Sequence, residues 1–263
     1  MKLFDSHCHI DDKIFDPDFA DVLKRAGIAG VKGMMIAGIT LKMVRKAVSL
    51  AENNHGLFAS VGVHPHDASS CSEADMKTLR EIAGNPKVKA WGEIGLDFNR
   101  MFSPQKIQEK WFVRQLEIAD ELKLPLIFHE RDSNGRFLQL IQKTCHQNRT
   151  GVVHCFSGSK KELMAYIDLG LYIGITGIIT IKTRGADLRE LVKFIPVDRL
   201  LIETDAPYLT PAPEKNKIHR NEPAFVRSTF LKLSEILEQN PEKLAETVWN
   251  NTCRLFKIQP SEF

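Results

Sequence analysis

Residues Phe4–Ile10 read FDSHCHI. An apolar start gives way to two histidines separated by one cysteine, and residues two apart in a β-strand point to the same side. His7 and His9 are therefore expected to present two imidazoles together at the end of a first strand. The same form returns along the chain, as short apolar, β-branched runs that end in a histidine or a carboxylate. Such runs are expected at residues 2–6, 31–39, 57–63, 88–93, 124–128, 151–153, 171–175 and 200–203.

Between them lie stretches with helical spacing, among them LKMVRKAVSLAE, QEKWFVRQLEIADEL and KELMAYIDLG, several closed by glycine or proline. Strands that alternate with helices fit a parallel sheet with crossover helices. Eight such units within 263 residues favour closure into a (β/α)8 barrel. An open doubly wound sheet is disfavoured, because neither GxGxxG nor GxxxxGK[ST] occurs. Beyond the eighth strand, NEPAFVRSTFLKLSEILEQ and PEKLAETVWNNTCRLF predict two more helices packed on the outside. Composition does not shift along the chain, so residues 1–263 are read as one domain, an α/β TIM barrel with extra C-terminal helices.

At 43% hydrophobic and 26% charged residues, the composition is that of a soluble globular protein. No apolar run approaches the ~20 residues that span a bilayer, and the first residues lack a secretory signal. The five cysteines are scattered without CxxC spacing, which reads as reduced thiols in a cytoplasmic protein. A net charge of +3 is a mild tilt, compatible with an anionic substrate and far from a histone-like surface. Aromatic residues make up 8% and are dispersed, so no stacking platform for nucleic acid is evident. No membrane association and no obligate protein partner are inferred.

The informative feature is how the apolar runs end. KLFDSHCH closes on His7 and His9, FASVGVH on His64, VKAWGE on Glu93, LPLIFH on His129, GVVH on His154 and LLIETD on Asp205. In a barrel, the carboxyl ends of the strands form the catalytic face. A single histidine there is commonly a hydrogen-bonded rim residue, and a lone buried glutamate is commonly half of an ion pair. Five of the nine histidines in the same kind of place argue for something shared, since such groups are costly beside apolar strands unless paired. Imidazoles and carboxylates together form a nitrogen and oxygen metal cage. The six candidates His7, His9, Glu93, His129, His154 and Asp205 exceed what one tetrahedral ion uses, so two divalent cations are expected, with Glu93 bridging. A carbamylated Lys89 is the competing bridge, but it lies four residues earlier and deeper than the mouth. Cys8 and Cys155 each neighbour a histidine and are expected to face the opposite side of their strands.

Taken in order, DSHCHI, GVHPH, GEIGLDFNR, FHERD, HCFSGS, YIGITG, IETDAPYL and RNEP make this chain resemble the TatD-type metal-dependent deoxyribonucleases, within the wider amidohydrolase-like barrels. The resemblance spans nearly the whole chain. It implies that His7, His9, Glu93 and Asp205 hold one ion and that Glu93, His129 and His154 hold the other. It also implies a 3′-to-5′ exonuclease acting on single-stranded DNA, or RNA, with Mg²⁺ in turnover. Nitrogen-rich ligation favours Zn²⁺ or Mn²⁺ instead, a tension within that reading. Two ions activate a water and stabilise charge on attacking and leaving oxygens. Asp205 is the candidate general base, and His64 is expected to contact the scissile phosphate or orient water. Glu203, two residues before Asp205, would point the same way on a regular strand and orient a metal-bound histidine, with a plain ion pair as the alternative.

Asn99, Arg100, Arg131, Arg220 and Asn221 are candidate substrate contacts, the arginines suited to phosphate oxygens. An ordinary N-cap is the alternative for Asn221. The competing reaction is attack on a carbonyl, as in deacylation of aminoacyl-tRNA or a small amide, because the same site could polarise either group. A barrel that binds nucleic acid without catalysis is the third reading, disfavoured by a ligand set with no position missing.

Overall fold

The computed structural model describes residues 1–144, 149–212 and 214–263. Eight parallel strands follow one another in chain order around a nearly closed barrel. They are β1 (Leu3–Cys8), β2 (Val31–Ile36), β3 (Leu57–Val61), β4 (Val88–Asp97), β5 (Leu126–Arg131), β6 (Gly151–Val153), β7 (Tyr172–Ile175) and β8 (Leu200–Ile202). The helices between them are α1 (Phe19–Ile28), α2 (Leu41–Asn53), α3 (Glu73–Ile82), α4 (Gln105–Leu122), α5 (Arg136–Lys143), α6 (Lys160–Asp168) and α7 (Ala186–Leu191). Two more, α8 (Val226–Ile236) and α9 (Pro241–Phe256), follow β8.

Local chemistry accounts for the helix boundaries. Ser72 with Asp75 and Ser159 with Glu162 form reciprocal capping boxes that start α3 and α6. Asn240 caps α9 by accepting the N–H groups of Glu242 and Lys243, with Pro241 at the first helical position. In α2 the spacing of Val44, Ala47, Val48 and Ala51 turns one apolar stripe onto the sheet.

Each strand sends one side chain into the lower barrel: Phe4, Met35, Phe58, Ala90, Ile127, Val152, Tyr172 and Leu201. Trp249, Leu255, Phe256 and Ile258 pack onto these residues from α9 and the segment after it. The last helix therefore does not lie on the outside as its sequence suggested. Its apolar stripe finds a larger apolar partner in the open lower end of the barrel and seals it, with the Phe263 ring 4.5 Å from that of Trp249. Lys89 points to this lower end, where it pairs with Glu262 at 2.7 Å, away from the mouth.

Between β8 and β1 the barrel is stitched by individual hydrogen bonds. The Asp205 N–H donates to the His7 carbonyl at 2.9 Å, and the His9 N–H to the Ala206 carbonyl at 2.7 Å. Beneath them the fully buried Asp5 carboxylate accepts the Thr204 N–H at 2.8 Å and its hydroxyl at 2.5 Å. These bonds fix the Asp205 loop over the end of β1.

Three strands run past their expected ends, among them β1, which reaches Cys8. β4 continues four residues beyond Glu93, and β5 carries His129 inside the strand, because Gly95 lets the two backbones close together. At φ +150°, a Cβ on Gly95 would overlap the His129 carbonyl oxygen. No helix among the described residues is long and apolar enough to cross a membrane. Cys8, Cys71, Cys155 and Cys253 are free thiols, and Cys145 lies outside the described residues.

Candidate metal centre

Side chains from six strand ends meet over the carboxyl end of the barrel, with the buried Glu93 at their centre. Its Oε1 lies 2.7 Å from His129 Nδ1, 2.8 Å from His154 Nε2 and 3.3 Å from His64 Nε2. Its Oε2 faces His7 Nε2 at 3.3 Å and His9 Nε2 at 3.8 Å. Asp205 Oδ1 borders that second side, 3.4 Å from His9 Nε2 and 3.7 Å from His7 Nε2. The two oxygens of one carboxylate thus face two separate groups of imidazoles. The rings of His7 and His9 stand 5.0 Å apart, as their two-residue spacing in the sequence requires.

The backbone departs from a regular strand where the expected geometry of Glu203 and Asp205 needed one. β8 ends at Ile202, and Asp205 takes a left-handed conformation at φ 57°. Glu203 consequently lies beneath the cluster, accepting the Cys155 N–H at 2.5 Å and standing 3.4 Å from His154 Nδ1. Gly174 leaves the room: a Cβ there would sit 2.5 Å from Glu203 Oε2. Cys155 also differs from expectation. β6 stops at Val153 and Cys155 has φ 47°, so strand alternation no longer applies and the residue lines the cavity. Cys8 faces away as expected, with its thiol on the Met35 carbonyl.

The electrostatics of the cluster call for positive charge. Burial pushes the Glu93 carboxyl up, but the charges of His154, His64 and His7 and the hydrogen bond from His129 hold it well below the usual carboxylate range. Burial disfavours charge on His9, yet the hydrogen bond and charge of Asp205 raise it to about 9. His154 rises well above its ordinary value against its own burial, chiefly through Glu93. His7 falls, from burial and from the neighbouring His154. The Nε2 atoms of His7 and His9 nevertheless face each other at 3.3 Å, and their Nδ1 atoms have no hydrogen-bond partner. The ring nitrogens of His7 and His9 and an oxygen of Glu93, all within 4.8 Å, are a donor set that fits a divalent cation taking the place of their protons.

His64 is fixed in a particular tautomer. Its Nδ1 accepts the His66 N–H at 3.0 Å, which leaves the proton on Nε2, the nitrogen that points into the centre. His66 and Asp97 are participants that the sequence reading missed. Asp97 Oδ2 lies 2.6 Å from His66 Nε2 and 3.3 Å from His129 Nε2. One signal for His66 was present: GVHPH repeats the two-residue histidine spacing of the first motif. Asp97 could not be found that way, because its role depends on β4 running on past Glu93.

Above the cluster opens a cavity of about 860 Å³, whose lining includes Arg100, Arg131 and Arg184. Three expected substrate contacts are placed elsewhere. Asn99 donates to Asp132 at 2.7 Å and lies outside the lining. Arg220 grips Asp18 with two bonds of 2.7 Å. Asn221 is fully buried, donating to the Thr204 and Tyr208 carbonyls and accepting the Glu222 N–H. A basic or amide side chain is read from sequence as available. Here internal carboxylates and carbonyls take these three first.

A parallel eight-stranded barrel with a histidine and carboxylate cluster at its carboxyl mouth defines the class, a barrel protein whose clustered side chains could hold a divalent cation. Within that class, the family described as TatD related DNase matches residues 4–257, and the chain belongs to it. The 3′-5′ ssDNA/RNA exonuclease TatD of Salmonella typhimurium is 41% identical over 258 residues, covering 97% of this chain and 99% of that one. The protein of the same name from Klebsiella pneumoniae is 43% identical, covering 97% and 98%. The crystal structure of YJJV, a TatD homologue from Escherichia coli K12, superposes with a TM-score of 0.90 at 30% identity, covering 98% of each chain.

Proposed function

We propose that this chain is a metal-dependent phosphodiesterase, a 3′-to-5′ exonuclease on single-stranded DNA or RNA, working in the cytoplasm as one domain over residues 1–263. The observation that carries this reading is the division of Glu93, whose Oε1 faces His129 and His154 while its Oε2 faces His7 and His9. That division suits two cations. His7, His9, Asp205 and Glu93 Oε2 would hold one, and His129, His154 and Glu93 Oε1 the other. Bound divalent ions supply Lewis acidity and lower the pKa of a water. Mg²⁺ serves in turnover under this reading, and Zn²⁺ or Mn²⁺ suits the nitrogen-rich donors. The relatives named as ssDNA/RNA exonucleases support the choice of a phosphodiester over a carbonyl substrate.

The chain's own groups divide the remaining work. Asp205, held as a carboxylate at the mouth, accepts the proton of the attacking water. His64 offers its Nε2 proton to a phosphate oxygen, the role its tautomer permits. Arg100 and Arg131 line the cavity and take the phosphates that follow. Oligonucleotides blocked at the 3′ or the 5′ end, offered with several metals beside amide and ester substrates, test the reading. Digestion from free 3′ ends only, stopped by a chelator and restored by metal, is expected. Equal digestion by wild type and Glu93→Ala, or faster amide than phosphodiester cleavage, overturns it.

A further inference from the structure

Two of the larger exposed apolar side chains stand at the rim of the metal cavity. Phe102 is 66% exposed and Tyr208 53%, and both belong to the cavity lining. Each is one ring away from the cluster. Phe102 meets the His66 ring edge-on at 4.8 Å, and Tyr208 meets the His9 ring at 6.0 Å. They arrive from opposite sides of the barrel, one on the loop after β4 and the other on the loop after β8.

Neither ring hangs on a loose loop. Asp97 accepts the N–H groups of Asn99 and Arg100 at 3.0 and 2.8 Å. Ser103, next to Phe102, is fully buried, donates its hydroxyl to the His66 carbonyl at 2.9 Å and accepts the Ser69 N–H at 2.9 Å. The Tyr208 N–H donates to the Asp205 carbonyl at 2.9 Å, and its own carbonyl is held by the buried Asn221 amide. Fixed backbone on both flanks holds these rings at the rim, where they bury little apolar surface and add little to the fold.

The charges around them match. Arg100, Arg131 and Arg184 line the same cavity, and none has an ion-pair or side-chain hydrogen-bond partner among the described residues. Rigid aromatic faces beside unpaired guanidinium groups are what binding of single-stranded nucleic acid uses, bases on the rings and phosphates on the arginines.

Building on the nuclease reading, we propose that Phe102 and Tyr208 are stacking platforms for the unpaired bases at the strand end, with Arg100, Arg131 and Arg184 holding the adjoining phosphates. The chain then prefers single strands because a paired base has no free face to offer. It also distinguishes ends that carry a base from ends that do not.

The test compares kcat/KM of the metal-loaded protein on single strands ending in a normal nucleotide or in an abasic residue. A stacked base is worth about 1–3 kcal/mol, so wild type should favour the normal end by roughly tenfold. Phe102→Leu and Tyr208→Leu keep apolar bulk without a ring and should bring the ratio toward one, mainly through KM, whereas Phe102→Trp should retain it. A ratio equal in wild type and both leucine variants overturns the platforms while leaving the nuclease reading intact. A wild-type protein that digests neither strand with any metal overturns the nuclease reading itself.

Discussion

Asp97 Oδ2 stands 3.3 Å from His129 Nε2, the ring nitrogen opposite the one that meets Glu93. The carboxylate fixes a proton on Nε2, so that Nδ1, which donates to Glu93 here, would be the nitrogen to lose its proton and take a cation, a second layer of support that tunes a ligand without touching the metal. Asp97→Asn should weaken metal binding by about 10–100-fold, measured by titration calorimetry on the apoprotein. Unchanged affinity would mean that His129 needs no such orientation.

Removing metal should reach stability as well as activity, because buried imidazoles and carboxylates are then left to satisfy one another. A ligand at a hundred times its dissociation constant adds about 2.7 kcal/mol, which raises Tm by roughly 5–10 °C in a chain of this size. A chelator should therefore lower Tm by that amount, and added Zn²⁺ or Mn²⁺ should restore it. In Glu93→Ala, which loses the atom shared by both groups of imidazoles, the metal-induced rise should shrink or vanish.

Close approach of β4 to β5 depends on a missing side chain. Gly95→Ala places a methyl group against the His129 carbonyl, at a backbone angle that only glycine adopts comfortably. A loss of about 3 kcal/mol in urea unfolding is expected, with a parallel loss of metal affinity as His129 is displaced. A midpoint equal to wild type would show that the two strands can move apart freely.

Sealing the lower barrel with α9 should be a large stabilising contribution. Phe256 is 1% exposed within the cluster that closes the barrel. Phe256→Ala should cost about 3–5 kcal/mol, whereas Leu231→Ala on the exposed face of α8 should stay within about 0.5 kcal/mol. Equal effects would place the plug outside the cooperative fold.

Arg220 belongs to stability in this structure. With Arg25 it holds Asp18 well below the usual carboxylate range, through hydrogen bonds and charge. A depressed folded-state pKa contributes stability above the unfolded value, near ~3.9, and that contribution is lost as pH falls through the folded value. The side chains are partly exposed, so Asp18→Asn should cost at most about 1 kcal/mol at pH 7. The difference from wild type should shrink steadily below about pH 4, as followed by urea midpoints. Arg220→Ala should leave KM for oligonucleotides unchanged.

Much of the fold was legible in the chain because its signals are local. Eight apolar runs alternate with helical stretches, and helix starts such as Ser72 and Asn240 announce themselves through capping. Where reading failed, a partner distant in sequence had decided the outcome. The spacing in α9 shows an apolar stripe, but nothing in it says that the stripe meets Phe4 and Phe58 inside the barrel.

Sequence alone determined the strand-end histidines and carboxylates, since strand alternation and barrel topology place such residues at one mouth without reference to packing. Only the tertiary structure decided how Glu93 divides its two oxygens, that Asp97 backs His129, and that Phe102 and Tyr208 share a rim. It also turned Arg220 and Asn221 inward. Those outcomes depend on which groups from remote loops come within bonding distance, and hydrogen bonds and ion pairs act over a few ångströms that spacing along a chain does not specify.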